Sequence, residues 1–459
     1  MTAGTADPTG VSRRTLFRGA AALSGLALLG GCATRDEVWV AVPWSGWELS
    51  RFRAVLADFE RDTGLVGRVV PLGDDIGAVL RAGPDGIADV VVLPRPGLVR
   101  QFHDVLQPLD PRVWPEGRFA DGWKPLLRDG GGDGPVLGVP FKAAHKSVVW
   151  YRRDLLAQVP LSVPGRGWVT NDPRTWGTFD DWAAVVRELV RWGVTPLALG
   201  AADGWVLTDF FENVLLSTSP ATYRELARGT DLWQDTNTRS ALIDVGRVWA
   251  EPGALAGGAS RALLTQFEES VLDLVYGRAA MLVAPDFAYP VIRRYLPSDR
   301  EFGERIDVFR FPPITVGRPP LVTGGDVLVL PKPGSEAGRR LVTWLARPGA
   351  AAQWIRYGGF VPPQQGGLSG VRPAEIPRRL VQEWQEATSS QGQGLYFDLS
   401  DELGALGGGD GQGLWTVLQD FLAEIGGYPG RVRSAAEAAA RRMSDLRART
   451  KGAWNDPPR

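Results

Sequence analysis

The 459-residue chain has one cysteine, two histidines and three methionines. A lone Cys32 excludes an intramolecular disulfide and any cysteine-rich zinc or iron–sulfur centre. His103 and His145 leave little material for a histidine-based metal site or catalytic base. Excess charge of either sign is also missing: 51 Lys and Arg face 52 Asp and Glu, a net charge of −1. Without a basic surplus to displace phosphate counterions, a nucleic-acid partner is not expected. Outside residues 19–31, no apolar run approaches the ~20 residues of a membrane-spanning helix. The H-E-x-x-H, G-x-S-x-G and Walker A patterns are absent, and residues 129–134 lack the ligand spacing of a calcium loop. Asp74/Asp75 and Asp180/Asp181 are adjacent, which fits solvated helix starts better than an opposed acid/base pair. Residues 407–413 are glycine-rich without the G-x-G-x-x-G spacing and read as a loop. No metal, cofactor or fixed-period repeat is expected.

What is present is an ordinary globular balance, 44% hydrophobic and 22% charged, with 18 Trp, 57 Gly and 35 Pro. The length implies two or three domains or lobes. The N-terminal segment reads as an export leader. Ser12-Arg13-Arg14-Thr15-Leu16-Phe17 precedes the short apolar run 19–31, a charged segment and hydrophobic stretch of the kind removed on export. Adjacent Arg13 and Arg14 resemble a twin-arginine signal. Leu29-Gly30-Gly31-Cys32 resembles a lipoprotein cleavage site, which would leave Cys32 as a lipid-carrying N-terminus. More than one acyl chain makes such an anchor stable. An uncleaved anchor, or a disordered Ala-rich leader, is the plainer alternative.

Residues 37–42 alternate as a strand, and 49–63 place Phe52, Val55, Leu56 and Phe59 on one helix face before Gly64. Strands at 66–71 and 89–93, with a short helix at 76–81 between them, continue the alternation and imply a parallel sheet covered by helices. Residues 135–151 read as a β-hairpin with 129–134 as a turn. Thr178 is placed to cap a helix over 179–192. Further helices are expected at 209–217, 238–249, 260–276, 336–345, 350–357, 414–424 and 435–447. Short strands are expected at 195–199, 279–283 and 327–330. Trp182, Trp192, Trp249 and Trp344 fall on helix faces and read as packing residues. Residues 441–451 form a solvated basic face. Trp44, in Pro43-Trp44-Ser45-Gly46-Trp47, follows the first strand, where open α/β sheets collect ligands.

Seven short motifs then run in order along the chain. They are the helix ending Asp58-Phe59-Glu60-Arg61-Asp62-Thr63-Gly64; Ala88-Asp89-Val90-Val91-Val92; Gly138-Val139-Pro140 with Ser147-Val148-Val149-Trp150-Tyr151 and Asp154; Pro173-Arg174-Thr175-Trp176 with Phe179-Asp180-Asp181; Gly277-Arg278-Ala279-Ala280-Met281; Gly324-Gly325-Asp326; and Gly358-Gly359-Phe360-Val361-Pro362. Together they resemble the extracellular solute-binding proteins of ABC importers, family 1, the maltose/oligosaccharide-binding type. The resemblance implies two α/β lobes of the periplasmic-binding-protein type (type II), joined by crossing segments around a ligand cleft. The lobes would comprise 33–139 plus 325–374 and 140–324 plus 375–459, after an export signal at 1–31.

The resemblance also implies function: a lipid-anchored receptor outside the cell membrane captures a carbohydrate and passes it to ABC permease subunits, without catalysis and as a monomer. Aromatic faces suit the C–H surfaces of a sugar, and carboxylates, amides and cations suit its hydroxyls. Gly204-Trp205-Val206-Leu207-Thr208-Asp209 concentrates both, although capping by Asp209 explains part of it equally well. The resemblance favours Trp205 and Asp209 as contacts, places Asp286 and Phe287 just past a strand, and puts Asp326 in a crossing segment. It also brings in Trp415 at the start of a late helix. Phe360 and Lys142 are weaker candidates, and His145 reads as a polar surface or hinge residue. A secreted carbohydrate-active hydrolase is the rival reading, requiring two carboxyl groups facing each other across a groove. A receptor serving only as a sensor partner shares the fold.

Overall fold

A computed structural model describes residues 37–81, 88–131, 134–163, 167–168, 170–296, 298–389, 394–408 and 412–454. The export-signal and Cys32 readings lie outside the described residues. Among the described residues eleven strands occur in chain order: β1 Glu37–Val42, β2 Val66–Pro71, β3 Val90–Leu93, β4 Gly138–His145, β5 Val148–Arg152, β6 Ser162–Val163, β7 Gly167–Trp168, β8 Leu197–Ala198, β9 Met281–Val283, β10 Ile306–Arg310 and β11 Thr323–Val329. Apart from the small pair β6–β7, they form two sheets, ordered β2-β1-β3-β11-β4 and β10-β5-β9-β8. In the first, β1 runs parallel to β2 and β3, while β11 is antiparallel to β3 and β4. In the second, β5 is antiparallel to β10 and β9, and β8 is parallel to β9.

Each sheet has its own core. Val38, Val40 and Val42 pack with Phe52, Val55 and Phe59 of helix Gly46–Thr63 over the first sheet. Gly64, at φ 74°, ends that helix in the left-handed region a side chain would resist. The second sheet is covered on one face by Trp182, Phe210, Trp249 and Phe421, and on the other, where its own Trp150 points, by Leu274, Ile292 and Phe302. Helix Glu375–Thr388 packs on both halves: Ile376 and Leu380 join the second sheet's core, Val381 and Trp384 the first's. This is a mixed α/β, two-lobed fold.

The expected hairpin over 135–151 is corrected. β4 and β5 are separated only by Lys146 and Ser147, yet they belong to different sheets. The linker's hydrogen bonds go to Val322 instead: Lys146 N–H donates to its carbonyl at 3.0 Å, and the Val322 N–H donates to Ser147 Oγ at 2.7 Å. The chain thus crosses at 146–147 and again between β10 and β11. A third strand of chain lies alongside, where Thr323 N–H donates to the Tyr396 carbonyl and Asp398 N–H to Thr323. The turn reading survives in part, as an antiparallel bridge from Arg128 to Val136.

The single helix expected at 260–276 is two, Gly258–Ala262 and Phe267–Val275. Gln266 restarts the helix with a capping box, in which Glu269 accepts its N–H at 2.9 Å. Trp192 is also corrected: it is 56% exposed just past its helix, whereas Trp182, Trp249 and Trp344 are buried. Among the described residues, no helix is long and apolar enough to cross a membrane.

Candidate functional site

A cleft of about 410 Å³ opens where the two halves meet. Strand ends and connections of the first sheet supply Trp44, Arg95, Lys142 and Asp326; the other half supplies Lys146, Trp205, Phe287, Asp398, Asp401 and Trp415. Trp205, Phe287 and Trp415 are half-buried, so each keeps surface toward the cleft. Trp205 and Phe287 lie 5.8 Å apart, and Trp415 is fixed by its Nε1–H donating to Ser400 Oγ at 2.8 Å. Trp44 is nearly buried, packed on Phe52 and Trp354, and its Nε1–H donates to Asp326 Oδ2 at 3.1 Å.

Two lysines organise the charges. Lys142 Nζ lies 2.7 Å from Glu48 Oε1 and 3.6 Å from Asp326 Oδ2. Burial works against its positive charge, but Glu48 and Asp326 outweigh burial and raise its pKa. Burial pushes the Asp326 carboxyl up to about 6 despite Lys142. Lys146 Nζ contacts Asp209 Oδ1 at 3.2 Å and pairs with Asp398. Burial likewise opposes the Lys146 charge, and Asp209, Asp398 and Asp401 more than restore it. Asp209 is pushed up to about 7, first by burial and then by Asp398. Burial also raises Glu212, whereas Asp398 is held below the usual carboxyl range because Lys146 and hydrogen bonds from Glu212 and Ser400 overcome its burial.

Ligand-type oxygens of Asp209, Glu212 and Asp398 all lie within 4.8 Å of one another, close enough for a metal. The Lys146 ammonium already bridges two of these three carboxylates, so the cluster carries its own counter-ion. The remaining Asp209 oxygen, Oδ2, is buried and has no hydrogen-bond partner among the described residues.

Of the residues singled out from sequence, Trp44, Lys142, Trp205, Phe287, Asp326 and Trp415 line the cleft. Asp209 stands one residue behind it, through Lys146. Asp286 faces the crossing, its Oδ1 accepting the His145 N–H at 2.8 Å. Phe360 lies in the first half's aromatic core against Phe141 and Trp354. His145 is fully buried at the crossing, with Glu383 Oε2 3.6 Å away, and is not a surface residue. Sequence reasoning missed Glu48, Arg95, Lys146, Asp398 and Asp401. The Asp398-x-Ser400-Asp401 run was a visible signal, but nothing local tied it to a cleft.

The two halves thus meet at a cleft with aromatic and ion-paired walls, of a volume that suits a small solute. Residues 47–352 match the model of the bacterial extracellular solute-binding protein family, and the chain belongs to that family. It is 29% identical over 402 residues to the osmoprotective compounds-binding protein GgtB of Synechocystis sp. (strain ATCC 27184 / PCC 6803 / Kazusa), covering 83% of this chain and 87% of that one. It is 26% identical over 339 residues to the alpha-glucosides-binding periplasmic protein AglE of Rhizobium meliloti (strain 1021), covering 70% of each. Its fold is similar to that of the bacterial solute receptor AcbH, with TM-score 0.72 and 17% identity over 91% of this chain and 99% of that one. The solute-binding protein RafE in complex with raffinose gives TM-score 0.65 and 16% identity, over 89% and 99%. These relatives are solute-binding receptors, and the hydrolase reading finds no support among them.

Proposed function

We propose that the protein captures a carbohydrate in this cleft and hands it to an ABC permease without making or breaking a bond. The observation that carries the reading is the pairing of half-buried Trp205, Phe287 and Trp415 with hydrogen-bonding groups already held in ion pairs. Flat rings accept the C–H face of a sugar, and Asp326, Asp398 and Lys142 offer hydroxyl partners at fixed positions. Because cations and acids balance along the walls, an uncharged ligand suits the cleft. GgtB and AglE, by their names, bind osmoprotective compounds and alpha-glucosides, which supports an α-glucoside or a related polyhydroxy solute.

In this reading two lobes swing about the crossings at 146–147, between β10 and β11, and near 396, which moves the boundary expected at 139/140 to the end of β4 at His145. A ligand touching both lobes only when they are closed shifts that equilibrium and displays the closed surface to the permease. The leader exports the chain, lipid on Cys32 tethers a monomer outside the membrane, and no cofactor takes part.

Maltose, trehalose and sucrose, titrated singly against the mature protein, test this by intrinsic Trp fluorescence and thermal shift. Saturable binding without release of reducing ends is expected for at least one of them. Trp205→Ala weakens it at least about tenfold, ~1.4 kcal/mol, while leaving folding intact. Sugar cleavage, or equal binding by Trp205→Ala, would overturn the reading.

A further inference from the structure

One contact between the two halves is set by an absent side chain. Gly97 lies between β3 and helix Leu98–Gln101, whose Leu98 and Val99 pack in the first sheet's core. Opposite it is the short helix Leu399–Glu402, whose Leu399 packs in the second half's core. A Cβ built on Gly97 would stand 2.0 Å from the Asp401 carbonyl oxygen and 3.5 Å from the Glu402 Cα. Both neighbours are backbone, so no side-chain rotation relieves the clash.

Glycine is not needed here for conformation. Gly97 has φ −61° and ψ −21°, ordinary helical values that any residue adopts. Nor does Gly97 line the cleft. Its only evident requirement is the close approach of the two halves. Burial raises the carboxyls of Asp401 and Glu402, the latter to about 7, and Arg95 and Arg100 each act against that rise from the first half.

We propose that Gly97 against Asp401, flanked by Arg95 and Arg100, is the latch that lets the cleft shut, so that residue 97 sets solute affinity without touching solute. The proposal rests on the receptor reading above and adds the place where closure is decided. Affinity measured on such a receptor is the intrinsic affinity scaled by the closed fraction. A side chain at 97 lowers that fraction and leaves the cleft's own contacts unchanged.

Gly97→Val and Gly97→Ala are compared with the unmodified chain by small-angle scattering, free and with saturating maltose, trehalose or sucrose, together with a binding titration. The expected result is a larger radius of gyration for Gly97→Val even without sugar, and affinity weaker by at least about tenfold. Gly97→Ala should fall between. Arg100→Glu, measured at pH 8 where Glu402, raised by burial to about 7, is ionised, places like charge beside it from an exposed position outside the cleft; it should weaken affinity in the same direction and decides the matter if Gly97→Val does not fold. Unchanged radius and affinity in the folded variants overturn the latch. If the unmodified chain binds none of the three sugars, the receptor reading for them fails, and the sugar-free radii alone judge the latch.

Discussion

Lys146 carries one positive charge into a space shared by Asp209, Glu212, Asp398 and Asp401, all of them buried. Removing that charge leaves carboxylates without compensation, which in buried networks costs ~3–5 kcal/mol. Lys146→Met is therefore expected to be strongly destabilised, and by an amount that depends on pH. Asp209, raised to about 7, and Glu212, raised by burial, hold protons more tightly in the folded chain. Their contribution is complete below the ordinary carboxyl pKa and is lost as pH rises through the folded value. Asp398, depressed mainly by Lys146, contributes in the opposite sense, and its contribution is lost as pH falls. Without Lys146 it joins the first group, so the destabilisation of Lys146→Met should be greater at pH 8 than at pH 5. Urea unfolding at the two pH values checks this, and a loss equal at both, or larger at pH 5, contradicts it. The same network shows why the site was only partly legible. Asp209 and Asp326 stood out as isolated acids suited to a ligand, yet each is engaged by a lysine. The partners of Lys146 lie 63 and 252 residues away, a pairing that no local spacing encodes.

Periodicity and caps carry well from sequence to element. Helix Phe179–Arg191 begins where Thr178 announces it: Asp181 N–H donates to Thr178 Oγ1 at 3.2 Å, and Thr178 N–H donates back to Asp181 at 3.0 Å. Thr178→Ala should cost about 1 kcal/mol of stability, the usual value of a lost N-cap. The cap does not line the cleft, so sugar affinity should be unchanged; a binding defect in a fully folded Thr178→Ala would show that this helix communicates with the site. Elements defined by long-range hydrogen bonds were harder to read. β4 and β5, two residues apart and both apolar, look like a hairpin, and only Val322 reveals that they part. Helix Glu375–Thr388 was missed although Leu380, Val381 and Trp384 make an apolar face; it carries Pro377 inside its first turn. Proline is tolerated there, since the first-turn N–H groups have no helical partner.

Two separately cored halves joined by three adjacent crossings can respond to solute in two ways. A solute held by one half stabilises that half alone and splits thermal unfolding into two steps. A solute held by both couples them, so the whole transition moves together. The cleft walls decide between these outcomes, because Asp326 and Lys142 come from the first sheet and Trp205, Phe287 and Trp415 from the other half. At a free sugar concentration about a hundredfold above Kd, binding adds ~2.7 kcal/mol to the stability of the bound state. Unfolding entropy of about 2.1 cal/mol/K per residue makes that a rise of about 3 °C for a chain of this length. Scanning calorimetry with the bound sugar should therefore show one transition shifted upward by about that amount. Trp205→Ala at the same sugar concentration should lose most of the shift. A separate low-temperature transition that stays in place as sugar is added would mean that the solute is held by one half only, and closure could then not be driven by binding.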